Sequence, residues 1–332
     1  KIISFLHNTS NQNLILSCIE ALGNIKGNSS VKELINFYFK DNLYKPTIIE
    51  SLGKIGSTEA LDFIMNNYLK EDELTKYSMI EALGEIGDED TFFFLLSEMK
   101  NLEPPLSWIA IQSIYKLKEK LSLDVPFDEA IENVLLNTLV EGELKFKKAA
   151  SALLLNFEEK KIIETFLQVY GFDSEIDGNL LSHFLKFPIE TLQIIPEQLK
   201  KYNKNQRAIL ELIILILENV SVEKLNQLSE IDLHNLCESI SDFFEHPNEE
   251  VRRIAMELIF TLDSEMAFTF IDIFKSDSNI WNKLRLIEIL ENFSTKEAQQ
   301  ALLSLSKDKE GMVREKAEMI ISSKDTNPLV NE

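Results

Sequence analysis

Four histidines and two cysteines are the residues of this sequence best suited to hold a metal or attack a substrate. His234 and Cys237 are spaced i, i+3, so on a helix they share a face and could give zinc two ligands, with His246 nearby in sequence. Zinc wants four ligands with a recognisable spacing. Only two convincing ones are present, so these read as ordinary, partly buried side chains. Cys18 and Cys237 lie far apart and no Cys-x-x-Cys pair exists, which argues against a disulfide framework and points to a reducing compartment. No Walker phosphate loop, G-x-S-x-G elbow or dinucleotide glycine fingerprint is present. Runs such as Glu71-Asp72-Glu73 and Asp88-Glu89-Asp90 fall at expected helix starts, where negative charge suits the dipole, and read as solvated caps. The sequence thus assigns no catalytic, metal-ligating or cofactor-binding residue, and a non-enzyme is expected.

Charge narrows the partners. The 34 basic and 55 acidic side chains leave a net charge of −21, which repels polyphosphate and anionic membranes at long range. A base-excising helical protein needs a basic surface, yet only Arg207, Arg252, Arg253, Arg285 and Arg314 supply guanidinium groups. Trp108 and Trp281 could stack on a base, but each sits in an amphipathic pattern and is expected in the core. The greasiest stretch, residues 208–220, is interrupted by Glu211 and Glu218 and is too short for a bilayer, which takes about 20 apolar residues. It reads as a buried helix. The expected partner is a protein or peptide with a basic or mixed surface, with no nucleic acid and no membrane, in the cytoplasm. The chain begins at Lys1 without an initiator methionine, so a removed leader or earlier segment is an expectation that these residues leave open.

The elements that would position any site come from composition and self-comparison. Hydrophobic residues make up 45% and charged residues 27%, with only 10 glycines and 8 prolines, which favours helices on short loops over a β-sandwich. Ile19-Glu20-Ala21-Leu22-Gly23-Asn24-Ile25 recurs as Ile49-Glu50-Ser51-Leu52-Gly53-Lys54-Ile55 and as Ile80-Glu81-Ala82-Leu83-Gly84-Glu85-Ile86. A weaker copy, Ile111-Gln112-Ser113-Ile114-Tyr115-Lys116-Leu117, follows. Successive copies are 30, 31 and 31 residues apart, a repeat architecture. Apolar residues at i, i+3 and i+6 give each copy one helix face. The glycine after leucine costs about 1 kcal/mol of helix propensity, tolerable if a neighbouring helix must approach there. Gly27, Gly56 and Gly87 are placed to end the helix at positive φ, and Ser57-Thr58 and Asp88 to cap the next. Second helices are expected over residues 31–40, 60–69 and 91–100. Later, Val251-Arg252-Arg253-Ile254-Ala255 is echoed 62 residues on by Val313-Arg314-Glu315-Lys316-Ala317, two periods of 31. The unit between fits with Ile280 and Leu284 in the valine and alanine positions, and Asn248 is the expected cap before Val251.

The A-L-G-x-I-G helix end and the V-R-x-x-A helix start resemble the HEAT-repeat superfamily, in particular its short bacterial form, the phycobilisome-lyase-like repeat. The resemblance is specific over residues 11–120 and 246–323. Neither the tetratricopeptide nor the ankyrin signature is present. It implies an all-α, right-handed α-α superhelix, a solenoid of two-helix repeats of about 31 residues. The expected organisation is regular repeats over 1–120, degenerate helical repeats of the same solenoid over 121–245, with a separate helical insert there as the alternative, regular repeats over 246–323 and a polar tail over 324–332. In the middle, helical stripes persist at 131–139, 147–155, 162–170 and 206–217, while Pro188 and Pro196 break the rhythm and residues 171–178 look like a loop.

In proteins of this family the second helix of each unit usually lines the concave, partner-binding side. The resemblance therefore places partner contacts at Leu34, Phe37, Tyr38, Phe63, Asn66, Asn67, Phe93 and Phe94. A row of large apolar groups at helix spacing suits a peptide-binding groove. The same row would equally pack between adjacent repeats, and the sequence leaves both readings open. Arg252 and Arg314 share a repeat position, where the resemblance implies pairing with an acidic residue of an adjacent repeat. Some relatives hydroxylate a modified lysine with iron held by His-Glu pairs, but here the histidines precede Asn8, Phe184, Asn235 and Pro247. Others attach bilin chromophores, a second possible function that rests on the repeat alone. Bacterial relatives often accompany signalling proteins. The expected function is a non-catalytic protein-binding scaffold or adaptor.

Overall fold

The structure, a computed structural model, describes residues 1–126, 128–201 and 204–325. Two compact units emerge, Lys1–Phe157 and Glu158–Glu332, so the division falls inside the segment expected to be degenerate. The described residues form helices packed in neighbouring pairs and contain no strand, the all-α repeat class expected.

The first unit holds α1 (Ile2–Asn8), α2 (Gln12–Ile25), α3 (Val31–Tyr38), α4 (Lys45–Ile55), α5 (Thr58–Asn67), α6 (Glu73–Ile86), α7 (Glu89–Met99), α8 (Leu106–Leu121), α9 (Glu129–Glu141) and α10 (Leu144–Leu154). The starts of α2, α5, α6, α7 and α9 are set by side chains that accept orphan N–H groups. Ser57 accepts from Ala60 N and Asp88 from Thr91 N, as expected, and Asn11, Asp72 and Asp128 do the same for α2, α6 and α9. The even-numbered helices α2 to α10 pack side by side in one layer, and in the other α3 lies against α5 and α7 against α9.

The glycine of the heptapeptide explains the closeness of the first layer. A Cβ at Gly23 would lie 2.7 Å from Ser51 Cβ, and one at Gly84 2.7 Å from Ser113 Cβ. The helices touch backbone to backbone, and the small residue facing each glycine also bonds: Ser51 Oγ donates to the Ile19 carbonyl at 3.0 Å, and Ser113 Oγ to the Ile80 carbonyl at 2.9 Å. In the fourth copy Tyr115 stands in the glycine's place. Of the three glycines expected at positive φ, only Gly56 is there, at +73°; Gly27 and Gly87 are not, and in the first repeat Lys26 takes the left-handed position. Gly87 is needed for room instead, since a Cβ there would meet the Leu83 carbonyl at 2.5 Å.

The second unit holds α11 (Lys160–Val169), α12 (Ser174–Lys186), α13 (Pro188–Lys201), α14 (Gln206–Asn219), α15 (Val222–Leu225), α16 (Glu230–Ser241), α17 (Glu249–Leu262), α18 (Ser264–Thr269), α19 (Ile271–Lys275), α20 (Ile280–Glu291), α21 (Lys296–Leu305) and α22 (Gly311–Asp325). Helices α14, α17, α20 and α22 pack in succession, and Asn248 caps α17 through Glu250 N as expected. Residues 208–220 form most of α14, with Ile209, Leu210, Leu212, Ile213 and Ile216 buried, and no described helix is long and apolar enough to cross a membrane.

Several expectations are corrected in this unit. Residues 171–178 are not one loop: Asp173 caps α12, which runs straight through Gly178. Pro188 opens α13 and Pro196 lies inside it rather than ending it. Asn282 and Leu286, both buried, stand where Val251 and Ala255 stand in α17, two residues along from the expected Ile280 and Leu284. The reason is Lys283, which repeats the packing of Arg252 described below. Trp281, expected in the core, is 65% exposed because it lies in the first turn of α20, beside the Asn279 cap. Of the expected polar tail, Lys324 and Asp325 belong to α22, and the rest lies outside the described residues.

Candidate functional site

Leu34, Phe37 and Tyr38 are buried in the first unit, so no partner reaches them. Phe63 meets the Tyr38 ring edge-on at 5.0 Å and 88°, and Phe94 meets Tyr68 at 5.2 Å and 88°. The tyrosine at the end of one second helix fills the gap to the phenylalanine of the next. These residues are packing between adjacent repeats, each pair worth about 0.5–1.5 kcal/mol beyond area burial. Asn66 and Phe93 are exposed, Asn67 is half-buried with its amide donating to the Phe63 carbonyl at 2.7 Å, and Phe93 rests against Phe92. The tyrosines make most of that face internal to the unit.

The groups that could do chemistry do not converge. His234 is exposed while Cys237 is buried, so the pair does not share an environment. Burial, with Asp263 adding to it, pushes the Cys237 thiol up to about 11, against nucleophilic use. Among the described residues no group of three or more His, Cys, Asp or Glu is arranged to hold a metal ion. Trp108 is half-buried against Phe146.

A repeated cation sets the register of the units. Arg252 donates from Nε and Nη2 to the two carboxylate oxygens of Asp277, at 2.9 and 2.8 Å, across to the junction before α20. Burial alone would raise the Asp277 carboxyl, but the hydrogen bonds from Arg252 and Asn282 hold it below the usual carboxylate range. Lys283 makes the same reach to Asp308 at 2.7 Å, and Lys45 in the first unit to Glu71 at 2.7 Å. Arg252 thus pairs with the adjacent repeat, as the resemblance implied. Arg314 instead donates to the Asp308 and Lys309 carbonyls, as Arg252 does to those of His246 and Pro247.

Five residues after each of these cations stands a glutamate: Glu50 after Lys45, Glu257 after Arg252, Glu288 after Lys283. In the second unit these glutamates are neutralised from the next helix. Arg285 Nε donates to Glu257 at 2.9 Å and its Nη1 to Glu288 at 3.0 Å, Lys316 donates to Glu288, and Arg207 pairs with Glu250 at the near edge. The result is an ion-pair ladder across α14, α17, α20 and α22. The sequence showed its signal in the 31-residue steps Glu257 to Glu288 and Arg285 to Lys316, which carry no recognised motif.

The first unit carries the glutamates without the ladder. Glu20, Glu50 and Glu81 occupy one position of successive heptapeptides, and none makes an ion pair with a described residue. Beside them runs a row of half-buried Leu16, Pro46, Tyr77 and Trp108, again one per repeat. A groove of about 610 Å³ lies across α4 and α6, lined by Glu50, Lys54, Ser78, Glu81 and Glu85, with Lys26 at its edge. Helices packed about 8–10 Å apart put neighbouring carboxylates close enough to repel by roughly 0.5 kcal/mol in water. Such a row is tolerable, and it is relieved by any cation laid across it.

No family model matches the chain, and no curated protein matches it. Among solved structures the chain is similar to an engineered protein, at 12% identity over 97% of each chain with a TM-score of 0.43. It is also similar to human deoxyhypusine hydroxylase in complex with glycerol, at 12% identity over 98% of this chain and 95% of that one, with a TM-score of 0.35. At these scores neither likeness bears on function, and the fold class rests on the helices themselves.

Proposed function

We propose that this chain is a short HEAT-type repeat protein that acts without catalysis, as a scaffold or adaptor presenting a helical-repeat face to a protein or peptide. The observation that carries this reading is the register of Glu20, Glu50 and Glu81 on stacked helices, one unpaired carboxylate per repeat. An active site gathers unlike groups at one point, whereas here like groups recur along a line, which suits an extended partner. The net charge of −21 favours a basic or mixed partner surface and association that weakens with salt. A cytoplasmic, bacterial signalling setting belongs to the same reading through the repeat's resemblance.

The test is affinity capture from native cell extract at low and high salt, read by mass spectrometry. One protein recovered repeatedly at low salt and lost at high salt is the expected outcome. Recovery of a bound pigment or small molecule in place of any protein would overturn the scaffold reading in favour of chromophore chemistry.

A further inference from the structure

Comparison of the two units shows what the face of the first lacks. In the second unit the cations that neutralise Glu257 and Glu288 come from the position 28 residues further on, Arg285 and Lys316. In the first unit the equivalent positions hold Thr47, 27 residues after Glu20, and Ser78 and Ile109, 28 residues after Glu50 and Glu81. Lys45 grips Glu71 much as Arg252 grips Asp277, at a reach of 26 residues where Arg252 spans 25. The acidic half of the ladder is therefore present and its basic half is missing. Thr47 is half-buried and Ser78 and Ile109 are buried, all three are uncharged, and Ser78 lines the groove beside Glu50 and Glu81.

We infer that a basic peptide segment of a partner protein docks across α2, α4 and α6 and supplies in trans the cations that Arg285 and Lys316 supply in cis. This rests on the protein-binding reading and names the chemistry of the partner. Its charged side chains meet Glu20, Glu50 and Glu81, while its apolar flank lies on Leu16, Pro46, Tyr77 and Trp108. Lys26 and Lys54, near the C-terminal ends of α2 and α4, bound the site and favour a segment confined to the glutamate row. Glu85 takes no part, because Lys116 already pairs with it. Stacked helices about 8–10 Å apart match every third residue of an extended strand, which rises about 3.3 Å per residue. The preferred segment carries arginine or lysine at that interval.

The experiment titrates the full chain with a synthetic peptide of about twelve residues, arginine at every third position and small polar residues between, in about 0.15 M salt. Four proteins are compared: wild type, E20Q/E50Q/E81Q, the partly cis-completed T47R, and E257Q/E288Q. Circular dichroism first confirms that each retains its helices. E20Q/E50Q/E81Q is expected to bind roughly tenfold or more weakly than wild type, T47R more weakly by a smaller factor, and E257Q/E288Q like wild type. Equal binding by wild type and the triple glutamine variant overturns the inference and leaves the scaffold reading standing, since the peptide then docks elsewhere. Failure of wild type to bind also overturns it, and the scaffold reading is then decided by the extract capture alone.

Discussion

Arg252 holds both carboxylate oxygens of Asp277, and Lys283 repeats the reach to Asp308, each partner 25 residues further along the chain. Side-chain exposure at these four groups is only 8–13%, so each pair is a near-buried tie between a helix and the junction of the following repeat. Arg252 also donates to the His246 and Pro247 carbonyls, which fixes its own junction at the same time. One guanidinium thus anchors two consecutive turns, a task for which the fork geometry of arginine is suited.

Removal of one partner leaves the other charge stranded. Arg252→Ala is expected to cost about 2–4 kcal/mol, read as a lowered urea midpoint, because Asp277 then keeps only the neutral donors of Asn282 and the Asn279 N–H. A loss indistinguishable from that of an exposed ion pair would show that the junction is held by apolar packing instead.

Acid should act through the same pairs. Asp277 and Asp308 both lie below the usual carboxylate range when folded: burial opposes this, and the hydrogen bonds from Arg252 and Lys283 overcome it. A depressed folded value means stability that is full above the unfolded carboxylate value of about 3.9 and lost as pH falls through the folded one. The wild-type urea midpoint should fall on acidification below about pH 4, and Asp277→Asn should start lower at neutral pH and lose less on the way down. An unchanged acid limb in that variant would move the effect to other carboxylates.

Two glycines in helices should respond to the same substitution with opposite sign. Gly84→Ala gains about 1 kcal/mol in helix propensity, but its Cβ would sit 2.7 Å from Ser113 Cβ and 2.8 Å from Ser113 Cα, so α8 must move. A net loss of about 1–2 kcal/mol is expected. Gly178→Ala meets nothing within 4 Å on α12 and should stabilise by about 1 kcal/mol. Thermal unfolding of the two variants side by side checks the close approach, which a stabilising Gly84→Ala would refute.

That contrast shows what the sequence carries and what it hides. Gly23, Gly53 and Gly84 were legible because a backbone contact between helices leaves few residue choices, and few choices repeat visibly. The register of α20 was not legible, because Asn282 satisfies the Glu249 carbonyl where Val251 only fills space, and the two share no letter. The aromatic row was legible as a face but not as a surface: whether Phe63 meets a partner or Tyr38 depends on the neighbouring repeat, which periodicity does not specify. The ion-pair ladder is not legible in the sequence because exposed Glu, Arg and Lys on helices ordinarily signify nothing more than solvation.

Tyr68 offers a test of how polar groups are tolerated in the packed layer. Its hydroxyl is fully buried without a hydrogen-bond partner among the described residues, and burial, with Glu98 adding to it, pushes its ionisation up. Tyr68→Phe removes the stranded hydroxyl and keeps the ring against Phe94, so stability should be unchanged or higher by about 1 kcal/mol. Tyr68→Ala should cost about 3–5 kcal/mol by cavity formation. A destabilising Tyr68→Phe, measured by urea unfolding, would reveal a partner for the hydroxyl.

Phe63 and Phe94 decide between groove and core for the second-helix face. Each is half-buried, with its ring against a fully buried tyrosine of the preceding repeat. If that packing is their role, Phe63→Ser with Phe94→Ser removes three edge-to-face pairs, Phe63 with Tyr38 and Phe39 and Phe94 with Tyr68, and the apolar area under them. The double variant should then lose several kcal/mol, about 2 kcal/mol or more at each site, and bind the arginine-spaced peptide only as well as its remaining folded fraction allows. A double variant that unfolds at the wild-type urea midpoint yet no longer retains a protein captured by wild type would reverse the assignment. The partner would then lie on α5 and α7, and the glutamate row of α2, α4 and α6 would be a solvated face.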